Sequence, residues 1–194
     1  MIPFGYESPE TICGNANFLI PGATASTFGI LQSTMHMAWV RTVCGRIKSD
    51  YRYSAGIVYN NFPWPELTPP PQPLEAASSS PASKGGSESD KHRIAIETAA
   101  QGVLDARAHF PDATLADLYD PLTMPPVLVK AHVTLDKAVD AAYIAAEKAA
   151  GRKPPKLGTD AERVAFLFER YQALISLLPP AKANKPRAKK APAA

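Results

Sequence analysis

Cysteine is scarce in this chain. Cys13 and Cys44 are the only two, too few for a disulfide framework and without metal-ligand spacing. Cys44 falls in an apolar helical pattern and is expected to be a small buried residue. The four histidines, His36, His92, His109 and His132, offer one another no ligand spacing, so neither a metal centre nor a Cys–His nucleophile pair is expected. No apolar run approaches the roughly 20 residues that span a bilayer. Met1-Ile2-Pro3-Phe4 has no basic region leading into an apolar stretch, so it does not read as a signal peptide. A cytoplasmic protein with no membrane partner is the expectation. Acid is also missing where base collects. Residues 179–194 hold Lys182, Lys185, Arg187, Lys189 and Lys190 without an Asp or Glu, a local +5 against a whole-chain +3.

What is present divides the chain into four parts. Hydrophobic residues make up 45% of the sequence, enough for a core. The 20 prolines are about twice the usual share of roughly 5%, and they cluster. Residues 1–67 mix strand and helix signals. Asn17-Phe18-Leu19-Ile20 reads as a short strand ended by Pro21-Gly22. Thr27 is a candidate N-cap for one helix running to Val43, with Phe28, Leu31, Met35, Ala38 and Trp39 on its apolar face and His36 opposite that face. Gly45 is a helix stop. Tyr51 to Asn60 holds β-formers and reads as one or two strands, ended by Pro63 and Pro65. Residues 68–90 read as a disordered Pro/Ser/Gly linker.

Residues 91–178 read as helical. One helix covers His92 to Ala108. A short one over Thr114 to Tyr119 follows Pro111-Asp112. A third starts at Pro125-Pro126 and runs to Ala149. The last is capped by Thr159 or Asp160, with Glu162 in its first turn. Asp136, Lys137, Asp140, Glu147 and Lys148 are expected on solvated helix surface. The basic run of residues 179–194 cannot build a core; it is either a non-specific DNA-attracting arm or an inert solubilising end. The fold class expected is α+β, mainly helical.

The stretch from Arg46 to Pro65 concentrates unusual chemistry. Arg46, Lys48 and Arg52 lie among Tyr51, Tyr53, Tyr59 and Trp64, with paired amides at Asn60-Asn61. Cations neutralise phosphates, and Arg and Asn match base edges with two-pronged geometry. Asp50 and Arg52 are two apart, so on a strand they share a face and form either a base-reading pair or a plain ion pair. Asn60-Asn61 suits an adenine edge or a turn, and we favour the turn. Phe62 and Trp64 suit base stacking or, more simply, packing beside the prolines. The candidate DNA-binding residues are Arg46, Lys48, Asp50, Arg52, Tyr53, Asn60 and Asn61.

Two blocks of sequence carry a resemblance. The first includes Phe28-Gly29-Ile30-Leu31-Gln32-Ser33, Met35-His36-Met37-Ala38-Trp39, Cys44-Gly45-Arg46 and Asn60-Asn61-Phe62-Pro63-Trp64-Pro65. The second includes Val103-Leu104-Asp105-Ala106-Arg107, Leu115 to Pro125 and Leu135-Asp136-Lys137-Ala138-Val139-Asp140. Together and in this order they resemble the end of the target-recognition domain and the C-terminal helical region of MmeI-like type IIL restriction–modification enzymes, which are adenine-specific DNA methyltransferases. The resemblance implies a partial recognition domain of short strands plus one helix, and double-stranded DNA as partner.

The family's methyltransferase fold resembles a Rossmann fold, with a Gly-rich loop for S-adenosylmethionine and an Asn-Pro-Pro-Tyr motif for the flipped adenine. This chain has no Gly-x-Gly run and no Asn-Pro-Pro-Tyr, and the nuclease carboxylates are missing. The resemblance therefore implies no cofactor and no catalytic residue in this chain, which would begin inside a recognition domain. S-adenosylmethionine and catalysis would belong to a full-length enzyme or to a methyltransferase/nuclease chain encoded upstream. Two other readings remain open: a module that docks on a partner methyltransferase without touching bases, and an inactive remnant of a truncated gene.

Overall fold

The computed structural model describes residues 2–14, 17–48, 50–66 and 88–176. The segments read as linker (68–87 of it) and as basic tail lie outside the described residues. Among the described residues the architecture is mainly helical with one two-stranded sheet.

Helix α1 spans Ala25–Leu31 and α2 spans Thr34–Val43. They replace the single helix expected from Thr27. Ser33 makes the break. Its extended backbone and hydroxyl cap α2 by accepting from His36 N at 3.3 Å, while the same hydroxyl donates to the Ile30 carbonyl at 2.6 Å. A serine that bonds nearby backbone offers the chain an alternative to continuous helix. The true cap of α1 is Thr24, whose side chain accepts from Thr27 N at 3.2 Å. Residues 26–31 and 35–40 are buried all round, as expected for central helices. His36 is therefore not on an outer face; it is fully buried.

Strands β1 (Gly45–Ile47) and β2 (Asp50–Arg52) form an antiparallel hairpin. A π-helical turn over Ala55–Tyr59 follows, capped by Ser54. The strand expected at 17–20 does not form; Phe18 packs its ring 5.4 Å from both Tyr53 and Tyr59.

Helix α3 spans Glu88–Ala108, α4 Leu115–Leu118, α5 Pro126–Ala149 and α6 Asp160–Ser176. Helix α3 starts three residues inside the segment whose composition reads as linker. Glu88 and Asp90 favour that first turn through the helix dipole, and Glu88–Lys91 and Asp90–Arg93 pairs brace it. Local caps set the other starts: a Thr114–Asp117 capping box, Pro126 at the first helical position, and Thr159 exchanging bonds with Glu162.

The two halves share one core. Helix α1 lies on α3 and α5 so closely that a Cβ on Gly29 would sit 2.8 Å from Ile96 and 3.2 Å from Leu135. Trp39 of α2 faces Phe168 and Tyr171 of α6, at ring separations of 5.2 and 5.7 Å, and donates to the Val58 carbonyl at 3.0 Å. Polar bonds cross the same seam. Asp136 of α5 accepts from Thr34 N at 2.7 Å, capping α2 from outside. Tyr143 donates to the Pro63 carbonyl at 3.0 Å, and Arg170 donates to the Trp64 carbonyl at 3.1 Å. Glu147, expected on the surface, is buried between Arg152 and Arg170, and Asp140 pairs with Arg163 at 2.7 Å. The outward pattern of α5 is real, but its acids serve partners that sequence spacing does not reveal.

Candidate nucleic-acid interface

The hairpin hangs on the end of α2, whose last turn runs into Cys44 and then β1. Cys44 is buried, as expected, and burial pushes its thiol pKa up. The register pairs Gly45 with Arg52, Arg46 with Tyr51 and Ile47 with Asp50. Side chains alternate along a strand and agree across a pair. Arg46 and Tyr51 therefore share one face. Ile47, Asp50 and Arg52 share the other.

The two faces differ. Arg46 donates to the Tyr51 hydroxyl at 3.0 Å, and its guanidinium lies 4.3 Å from that ring's centre. Tyr51 is half-buried and packs against the core, so this face turns toward the body. The other face carries Ile47, Asp50 and Arg52 into solvent. Asp50 and Arg52 show no ion pair with each other. Lys48 sits at the tip with φ +56°, in the left-handed region where hairpin turns ordinarily place Asn or Gly.

The remaining candidates sit behind the hairpin. Tyr53 is half-buried and bonds to His36 Nε2 at 3.0 Å. His36 Nδ1 lies 3.0 Å from the Leu31 carbonyl. A carbonyl only accepts, so Nδ1 carries the proton and the Tyr53 hydroxyl donates to Nε2. Burial lowers the His36 pKa to about 4, partly offset by the Leu31 carbonyl, and burial raises the Tyr53 pKa. This pair anchors the strand exit to the α1–α2 break. Asn61 donates its amide to the Gly56 and Ile57 carbonyls at 2.8 and 3.1 Å, as the turn reading requires. Asn60 is exposed beside it. Phe62 is buried and Trp64 half-buried, their rings 5.2 Å apart in an edge-on contact; both are packing anchors.

The seven candidates thus do not form one patch. Lys48, Asp50 and Arg52 present outward chemistry, Arg46 lies on the reverse face, and Tyr53 and Asn61 hold the scaffold. Tyr51 and Ile47 are additions that only the strand register reveals. A cleft of about 670 Å³ lies between α6, the 152–156 segment and Glu66, and no hairpin residue lines it. Its Glu66 and Glu147 neutralise Arg152 and Arg170. Among the described residues no group of three or more His, Cys, Asp or Glu is placed to hold a metal, and no helix is long and apolar enough to cross a membrane.

Comparison with known proteins meets this geometry from another side. The MmeI target recognition domain matches residues 1–66, and the MmeI C-terminal domain matches residues 88–179. DNA methyltransferase A of Bacillus subtilis (strain 168) is 38% identical over 173 residues, covering 89% of this chain and 16% of that protein. The solved structure of the Type IIL restriction-modification enzyme MmeI in complex with DNA is 46% identical with a TM-score of 0.60, covering 81% of this chain and 17% of that one. The chain thus spans under a fifth of the length of either relative. With one domain match on each side of the 67–87 segment and the hairpin inside the first, the chain belongs to the MmeI family of type IIL restriction–modification proteins.

Proposed function

We propose that this chain supplies DNA target recognition to an adenine-N6 DNA methyltransferase of a restriction–modification system and performs no methyl transfer itself. The observation that carries this reading is the hairpin register, which sets Asp50 and Arg52 side by side on the solvent face with Lys48 at the tip. A two-stranded ribbon fits the major groove of B-DNA, which is about 12 Å wide. There Arg52 matches the two acceptors of a guanine edge, and Asp50 accepts from a cytosine amino group. An aspartate is repelled by phosphates, so next to DNA it discriminates strongly: it is tolerated only where a base donor satisfies it. Lys48 and Arg46 suit phosphates, which position the ribbon without reading sequence. Exposed Asn60 is left to reach an adenine edge, whereas the Asn61 amide is already engaged.

The residues present do not fit S-adenosylmethionine. Among the described residues the only sheet is the antiparallel hairpin, with no parallel strand–helix crossover whose edge could seat a nucleoside. Cofactor binding and chemistry are accordingly assigned to further sequence, either a methyltransferase/nuclease chain encoded upstream or the remainder of a longer protein.

A binding titration on a target and a scrambled duplex, at two salt concentrations, tests the reading. The combined change Arg46→Ala, Lys48→Ala and Arg52→Ala is expected to abolish the preference for target and to weaken all binding. Each lost base contact is worth about 1–3 kcal/mol. Unchanged preference in that variant would overturn the proposal.

A further inference from the structure

The hairpin tip departs from local rules at two adjacent residues. Ile47 is 54% exposed, although burial is where an isoleucine stabilises a fold. Lys48 holds φ +56°, a conformation that glycine or asparagine adopts with less strain. A lone exposed hydrophobic residue is ordinarily unremarkable. Here the pairing of Ile47 with Asp50 fixes it on the outward face, one residue before the strained lysine. Local rules broken with no gain to the fold collect at functional positions.

We propose that Ile47 is a specificity-determining residue that contacts the C5-methyl group of a thymine in the major groove, an assignment that rests on the DNA-reading function proposed above. The thymine methyl is the distinctive apolar feature on major-groove base edges. Arg46 and Lys48 flank Ile47 in sequence, and Arg52 shares its face. An apolar group set beside Lys48, Arg52 and the base-reading Asp50 suits a groove walled by phosphates. Burying those cations against a protein or lipid surface would cost their hydration. The β-branched side chain is stiff at χ1, so a hairpin docked in the groove presents its methyl groups in a fixed place.

The test uses the full chain and a duplex enriched from a random pool by its binding. Each thymine of that duplex is replaced in turn by deoxyuridine, which removes the methyl and nothing else. At one position the wild type is expected to lose about fourfold in affinity, the size of one buried methyl group. Ile47→Ala is expected to bind the thymine and uridine duplexes equally there, with an unchanged melting temperature. The proposal is overturned if no uridine substitution weakens the wild type, or if Ile47→Ala keeps the wild-type sensitivity; target recognition by the chain would stand in either case. Enrichment of no duplex at all would remove target recognition and this assignment together.

Discussion

Two regions of this molecule use charge in opposite ways. In the seam between residues 2–66 and 88–176, every charge named above has a designated partner. Glu147 is enclosed by Arg152 and Arg170, Asp140 faces Arg163, and Asp136 caps α2 through Thr34 N. In the hairpin, Lys48, Asp50 and Arg52 project into solvent on strands three residues long. Buried pairing fixes geometry, because removing one partner strands the other. Exposed charge contributes little to stability and leaves the side chain available to a ligand. The seam therefore holds α2 rigidly, and α2 carries a hairpin whose outward residues can change without disturbing the fold. A recognition element benefits from that separation, since its precision comes from the rigid elements that support it.

The sharpest way to break this contrast is at Glu147. The Glu147→Ala change takes the nearer carboxylate from enclosed Arg170, which lies between the Tyr143 and Phe166 rings and keeps the more exposed Glu66 at 3.6 Å. We expect a loss of about 3–5 kcal/mol, the usual range for one half of a buried pair, read by denaturant unfolding. The two arginines hold the Glu147 pKa below the usual carboxylate range, against a smaller opposing effect of burial. Its stabilising contribution is thus present above the ordinary carboxylate pKa and is lost as pH falls through the lower folded value. A loss under 1 kcal/mol would mean that the seam does not depend on its ion pairs.

A smaller effect should follow from the two buried histidines. Burial lowers both His36 and His132 to about 4; Arg107 adds to the effect at His132, while the Leu31 and Gln32 carbonyls oppose it. The unfolded chain takes up these protons near the ordinary value of about 6.5. Stability is therefore full above that value and falls as pH drops toward 4, by up to about 2 kcal/mol per histidine between pH 7 and 5. Asp136 and Asp140, whose pKa values are raised chiefly by burial, oppose this trend. The melting temperature should drop by roughly 10 °C over that interval, and His36→Gln should flatten the slope. A flat profile in the wild type would show that the seam tolerates charged imidazoles.

Much of the helical half is legible in sequence because its signals are local. Pro125-Pro126, Thr114 with Asp117, and Thr159 with Glu162 each lie within a few residues of the start they set. The seam is not legible in that way. Thr34 and Asp136 are 102 residues apart, so nothing near Asp136 marks it as a cap for α2, and helical spacing alone places it outside. His36 misleads for a related reason: periodicity assigns it to an outer face, yet Phe4, Tyr53 and Phe62 close around its ring. The proposed recognition chemistry is partly legible. Composition marks 46–61 as unusual, but only the pairing of Arg46 with Tyr51 separates the inward cation from the outward ones.

The smallest expected effect is the most discriminating. The combined change Arg46→Ala, Lys48→Ala and Arg52→Ala should alter unfolding free energy by less than about 1 kcal/mol. Lys48 and Arg52 are exposed, and substitutions there usually fall within about 0.5 kcal/mol. Arg46 is exposed, and its ring contact with Tyr51 is worth about 0.5–1 kcal/mol at such a site. Relief at Lys48 will not offset this, because alanine meets the same left-handed strain. The same variant is the one expected to lose target preference, so unfolding and binding must separate within a single protein. If it unfolds several kcal/mol more easily, the hairpin is part of the core after all, and its loss of DNA binding would report a collapsed scaffold and not missing contacts.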